Sequence, residues 1–139
     1  MAIRAIWIVS IVLVLSGCGA EAPPSEAAFF FPQHEGALGV GDAALLEGFA
    51  VLEDACFWIE TQDGTRYLPI WPGDVELGRI NDLPVVIWAE RTLLMEVGDF
   101  RRLGGSEASA EVARELVGEI PDRCASGRFW VVSDVIDRQ

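Results

Sequence analysis

The chain has 139 residues, with 22 acidic and 10 basic side chains and a single histidine, for a formal net charge of −12 at neutral pH. A field of that sign opposes phosphate backbones and anionic headgroups at long range and argues against a nucleic-acid partner. The length suits one domain with a leader and a connecting segment.

Met1-Ala2-Ile3-Arg4 carries one positive charge, and the run from Ala5 to Leu15 is apolar except for Ser10. That run has the length of the apolar part of a signal peptide and falls short of the roughly 20 residues of a bilayer span. A single transmembrane anchor is the alternative, but small residues and a cysteine close the run in place of flanking charges. Leu15-Ser16-Gly17-Cys18 resembles the lipobox of bacterial lipoproteins. The resemblance covers residues 1 to 19. It implies removal of residues 1–17, a diacylglycerol on the Cys18 sulfur and acylation of the new amino terminus. Two or more acyl chains anchor a protein stably, where one holds it marginally. Gly19 stands where an aspartate often retains such proteins in the inner membrane. The resemblance therefore implies the cell envelope and, in a Gram-negative host, a lipid anchor on the periplasmic face of the outer membrane.

Residues 18–41 read as the lipidated N-terminus and a flexible tether, because Ala20 to Glu26 is small, polar and proline-bearing without an apolar period. Phe29-Phe30-Phe31-Pro32 interrupts it, and three consecutive aromatics need either the domain's own surface or the membrane as a partner. Residues 42–139 read as one β-rich domain. Ala44 to Leu52 is a strand candidate, followed by Cys56-Phe57-Trp58-Ile59-Glu60. Gln62-Asp63-Gly64-Thr65 then leads into Tyr67-Leu68-Pro69-Ile70-Trp71. Asp-Gly between two β-rich runs is a hairpin signal, because the turn needs positive φ. Pro69 cannot donate to a ladder, so its strand is expected at an edge or bulged.

Pro84 to Ala89 and Thr92 to Val97 read as further strands. Gly98-Asp99 turns into Phe100 to Leu103, and Gly104-Gly105 is expected to stop that segment. A helix is expected over 106–120, capped by Ser106 or Ser109, with Ala108, Val112, Leu116 and Ile120 as its packed stripe. Gly118 and Pro121 mark its end. Phe129 to Ser133 is the last strand. Five to six short strands and one helix in the C-terminal half predict a mainly β fold, a small barrel or sandwich. The order resembles an oligonucleotide/oligosaccharide-binding (OB) barrel with its helix displaced towards the C-terminus. Cys56 to Trp71 and Val97 to Gly105 also resemble small β-rich lipoprotein domains, a likeness that implies no activity.

If Cys18 takes the lipid, Cys56 and Cys124 remain. Two thiols in an exported domain are most simply a disulfide, whose long loop is worth roughly 4 kcal/mol in the chain-entropy model. A redox or metal-binding pair is the alternative; there is no C-x-x-C, and His34 lies in the expected tether.

No cofactor motif is present, and no metal site is expected. There is no G-x-S-x-G, no S-x-x-K and no lysine to act as a base. Gly104-Gly105-Ser106 is too little for a phosphate cradle. Carboxylates remain: Glu53-Asp54, Glu60, Asp63, Glu90 and Glu96 contain the residue types of a glycosidase pair or a calcium site, without EF-hand spacing. Trp58, Trp71, Trp88 and Trp130 read first as core. Outward-facing aromatics would instead form a stacking platform, with Trp58, Tyr67 and Trp71 as the candidate binding residues. The expectation is a non-enzymatic, lipid-anchored envelope protein, acting by binding or as a structural accessory. Its partners are the membrane through its anchor and an envelope protein or glycan. A carboxylate-dependent envelope hydrolase is the alternative.

Overall fold

In chain order the elements are β1 (Gln33–His34), β2 (Ala44–Glu53), β3 (Cys56–Glu60), β4 (Arg66–Pro72), β5 (Val75–Ile80), β6 (Leu83–Trp88), β7 (Thr92–Glu96), β8 (Phe100–Ala108), α1 (Ala110–Val117), a short 3-10 turn (Asp122–Cys124) and β9 (Arg128–Val135). The structure is a computed structural model and describes residues 28–39, 44–88 and 92–136. The lipobox and Cys18 lie outside the described residues, as does Glu90.

Five strands close into a barrel. The first half of β2 pairs antiparallel with β8 and its second half with β3. β3 pairs with β4, β4 runs parallel to β9, and β9 returns antiparallel to β8. The first barrel strand thus serves both the second and the fourth, as in an OB-type five-stranded Greek-key barrel. The expected mainly β fold with one helix in the C-terminal half is what the chain adopts, and α1 lies between the fourth and fifth barrel strands.

Two apolar layers explain the unbroken hydrophobic runs of β3 and β4. Phe57, Ile59 and Trp71 face the barrel interior with Leu46, Ala50, Leu103, Trp130 and Val132. Trp58, Leu68 and Ile70 face outward into a second layer with Ala113, Ile120, Phe129 and the two cysteines. A strand buried on both faces shows no polar alternation. β5, β6 and β7 form a separate antiparallel sheet, and Val75, Val86, Leu94 and Met95 carry it onto the barrel interior.

The segment 28–39, expected in the tether, is corrected to part of the domain. The β3–β4 ladder spans only Ile59↔Tyr67 and Glu60↔Arg66, so a seam opens beyond Tyr67. Residues 30–34 fill it. Phe30 bridges Cys56 and donates its backbone N–H to Ala55 O, while Gln33 and His34 run parallel to Trp71 and Pro72. Trp71 N donates to Pro32 O at 2.9 Å. Strand alternation sends Phe30 to the outer layer and Phe31 to the inner one, where it stacks on Trp71 with centroids 5.8 Å apart. Asp74 secures the next turn, accepting from Leu38 N at 3.0 Å and from Trp88 Nε1 at 2.7 Å.

Other expectations are also corrected. β4 is not an edge strand, because it is paired to β3, β9 and β1; the β3 ladder has ended before Pro69. Gly104-Gly105 does not stop β8. The register shifts there, and a Cβ at Gly105 would collide with the Val131 carbonyl and sit 2.7 Å from Trp130 Nε1. Glycine lets the two backbones cross at this bulge. The helix is shorter than expected, with Ser106 to Ala108 in β8 and Ser109 as the cap, its Oγ accepting from Val112 N at 3.2 Å. Its packed face is Ala113, Val117 and the following Ile120, while Val112 and Leu116 are exposed. A charge at position 116 therefore points to solvent rather than into the core.

Candidate functional site

The β3–β4 turn is built to hold one shape. Gly64 takes φ +81°, and Thr61 N donates to Thr65 O at 2.9 Å. The Asp63 carboxylate accepts from Thr61 Oγ1 at 2.5 Å and from Thr65 N at 3.0 Å. These hydrogen bonds, Thr61 first, hold the Asp63 carboxyl down from its ordinary value of 3.8 to about 2. Bonds donated to the ionised form favour it. The turn contacts they make are complete above the ordinary carboxylate range and are lost as the pH falls through about 2. The expected result is a carboxyl carbon-13 titration of Asp63 with its midpoint near 2, moving up towards 3.8 in Thr61→Val. A wild-type midpoint at 3.8 would show that the turn is not bonded in this way.

Beside this turn lies a cleft of about 350 Å³, lined by Glu47, Thr61, Gln62, Asp63, Thr65, Tyr67 and Phe100. That is near the lower end for small-molecule sites, roughly 300–1,000 Å³. Glu47 comes from the outward face of β2, whose buried positions are Leu46, Gly48 and Ala50. Phe49 points the same way as Glu47 and meets Phe100 edge to face, with centroids 5.2 Å apart. These two rings are 46% and 39% exposed. Tyr67 is half-buried, its ring edge-on to Trp130 at 6.0 Å. Its hydroxyl end lies beside Arg128, and this contact, together with Glu107, holds the Arg128 guanidinium above its ordinary value.

The three candidate binding residues are not brought together. Tyr67 lines the cleft. Trp58 and Trp71 are only 2% and 0% exposed, on opposite sides of the barrel wall. The expected platform of Trp58, Tyr67 and Trp71 is therefore corrected, because strands sandwiched between two apolar layers present neither indole to solvent. Trp88 is half-buried and tied to Asp74, and Trp130 is buried. The surface aromatics of the cleft are Phe100 and Tyr67, with Phe49 beside them. Phe49 carried a usable signal, since it is out of phase with the buried positions of its own strand.

Cys56 and Cys124 are joined by a disulfide, with Cα atoms 5.7 Å apart, inside the usual range. Their chemistry is spent on a cross-link between the start of β3 and the 3-10 turn before β9. His34 lies in β1, its Nε2 2.9 Å from Val132 O. Glu53 and Glu60 converge, but on Arg66, with Arg66 Nε donating to Glu60 at 2.6 Å. Among the described residues no charged side chain is buried, and no group of three or more His, Cys, Asp or Glu is placed to hold a metal ion.

No family model matches the chain. No curated protein or solved structure is found to match it either. What the site does has to be read from its own geometry.

Proposed function

We propose that this is a lipid-anchored binding protein of the cell envelope, without catalytic turnover, that takes an uncharged, hydroxyl-rich ligand of the glycan type in the cleft beside the β3–β4 turn. The location rests on the Leu15-Ser16-Gly17-Cys18 resemblance. The binding reading rests on one observation, the meeting of the exposed Phe100 ring and the half-buried Tyr67 with a fixed polar turn in a single cleft. Phe100 and Tyr67 offer apolar faces to a sugar ring. The Gln62 amide donates and accepts, and the Glu47 and Asp63 carboxylates accept from hydroxyls. None of this needs positive charge in the ligand site.

The hydrolase reading has Glu47 and Asp63 in one cleft to recommend it. Glycosidase chemistry needs one carboxyl kept protonated near neutral pH, usually by burial. Asp63 is held ionised, and Glu47 lies on the exposed face of β2. An ionised Asp63 suits either reading, but neither carboxyl of the cleft is buried, and that favours binding over turnover.

Phe100 is the ring to remove, because its exposure keeps the fold intact. Phe100→Ala is expected to weaken binding of soluble envelope-glycan fragments by roughly 5–10-fold, the worth of one aromatic face. Binding unchanged by Phe100→Ala would move the site elsewhere. Fatty-acid labelling that persists in Cys18→Ser would refute the anchor.

A further inference from the structure

The β5–β6 hairpin ends in a cluster of aliphatic side chains that stay exposed among the described residues. Asn81 and Asp82 make the turn, both with positive φ, and Ile80 and Leu83 face each other across it. Val97, just past β7, joins them around a hollow of about 120 Å³. Leu83 is 63% exposed, Ile80 44% and Val97 41%. Such residues at the tip of a hairpin are costly in water and contribute little to the core, so they point to an apolar surface that receives them.

The course of the N-terminal segment says which surface. The described chain begins at Ala28, whose carbonyl accepts from Arg123 Nη2 at 3.3 Å. Phe29 lies beneath the Arg79 guanidinium, 5.6 Å from ring centroid to Cζ. Arg79 is the neighbour of Ile80, so Phe29, eleven residues after Cys18, lies on the side of the domain that carries the aliphatic tip. Between Cys18 and Phe29 the chain can span at most roughly 40 Å. A lipid at Cys18 would keep Phe29 and the neighbouring tip within that reach of the bilayer, at an effective concentration where a weak partition is enough.

We propose that the β5–β6 tip, through Ile80, Leu83 and Val97, docks into the lipid bilayer that holds the Cys18 anchor. This rests on the anchor reading above. The aliphatic side chains enter the boundary between headgroups and acyl chains, where interfacial apolar groups reside. Asp82 and Glu96 flank the tip and stay at headgroup level. With the excess of acidic over basic side chains in the rest of the chain, they make docking favour zwitterionic lipid and weaken as anionic lipid is added.

Labelling separates the two claims. With Cys18 lipidated and Cys56 bonded to Cys124, a cysteine introduced by Leu83→Cys is the one free thiol of the chain. The full, lipidated protein is labelled there with a fluorophore and placed in phosphatidylcholine vesicles containing brominated acyl chains. Gln62→Cys, on the β3–β4 turn, and Glu115→Cys, on α1, serve as comparison sites. Quenching at position 83 is expected to exceed that at 62 and 115 several-fold. It should fall to their level when Ile80→Asp is added, an exposed change that leaves the core alone. Fatty-acid labelling is followed on the same preparations. Label present with equal quenching at all three sites, or deepest quenching at 115, overturns the docking and leaves the anchor standing. Absence of label overturns the anchor and the docking with it.

Discussion

Replacing Cys56 and Cys124 by alanine together is expected to lower the free energy of unfolding by about 2–5 kcal/mol, with roughly 4 kcal/mol from loop closure alone. The bond spans 68 residues and lies fully buried in the outer layer, against Trp58, Phe129 and Ile120. It ties the start of β3 to the turn that launches β9, two elements with no ladder between them. In the reduced chain that wall is left to side-chain packing and to the hydrogen bonds made through Ala28 and Phe30. Alanine is the right replacement, because serine would bury an unpaired hydroxyl. Chemical denaturation under oxidising conditions gives the number. A loss well under 1 kcal/mol, or two free thiols in the isolated wild type, would refute the cross-link as a structural staple.

Trp71→Ala is expected to cost about 3–5 kcal/mol, as for other fully buried aromatic side chains cut to alanine. Trp71 is 0% exposed, sits where the seam opens, and carries the face on which Phe31 stacks at an interplanar angle of 10°. Phe31→Ala should cost less, about 2–3 kcal/mol, because that ring is half-buried. The pair should couple by about 0.5–1.5 kcal/mol in a double-mutant cycle. A silent Phe31→Ala would mean that residues 30–34 do not close the barrel in solution. Trp71→Ala would act on ligand binding only through stability, unlike Phe100→Ala, which should leave the unfolding midpoint nearly unchanged.

These residues also show how far the sequence reaches. The Asp63-Gly64 turn was legible because its backbone requirement is local. The disulfide was legible as arithmetic once Cys18 was set aside. The helix was found but its face was not. Positions four apart drift by about 40° each step on a helix of 3.6 residues per turn, so Ala108, Val112, Leu116 and Ile120 do not form one straight stripe. Ala113, Val117 and Ile120 follow the true period, and alanine at 113 gives only a weak apolar signal. β5 is not legible in the sequence because Gly78 dilutes a six-residue strand. The β1 segment is not legible for a different reason: its partners, Cys56 and Trp71, are reached by non-local parallel pairing that no short window records. A strand covered on both faces does not reveal in its sequence which side is out, so the indoles of Trp58 and Trp71 look as available to a ligand as to the core.

We propose that the cleft beside the β3–β4 turn binds an uncharged envelope glycan without turning it over. Amide chemical shifts of the isotope-labelled protein, followed while soluble glycan fragments are added, test it most directly. Saturable shifts are expected at Glu47, at Thr61 through Tyr67 and at Phe100, with intact glycan at the end of the titration and an affinity weakened by Phe100→Ala. Shifts that cluster elsewhere, or cleaved glycan whose appearance is abolished by Glu47→Gln, would contradict it.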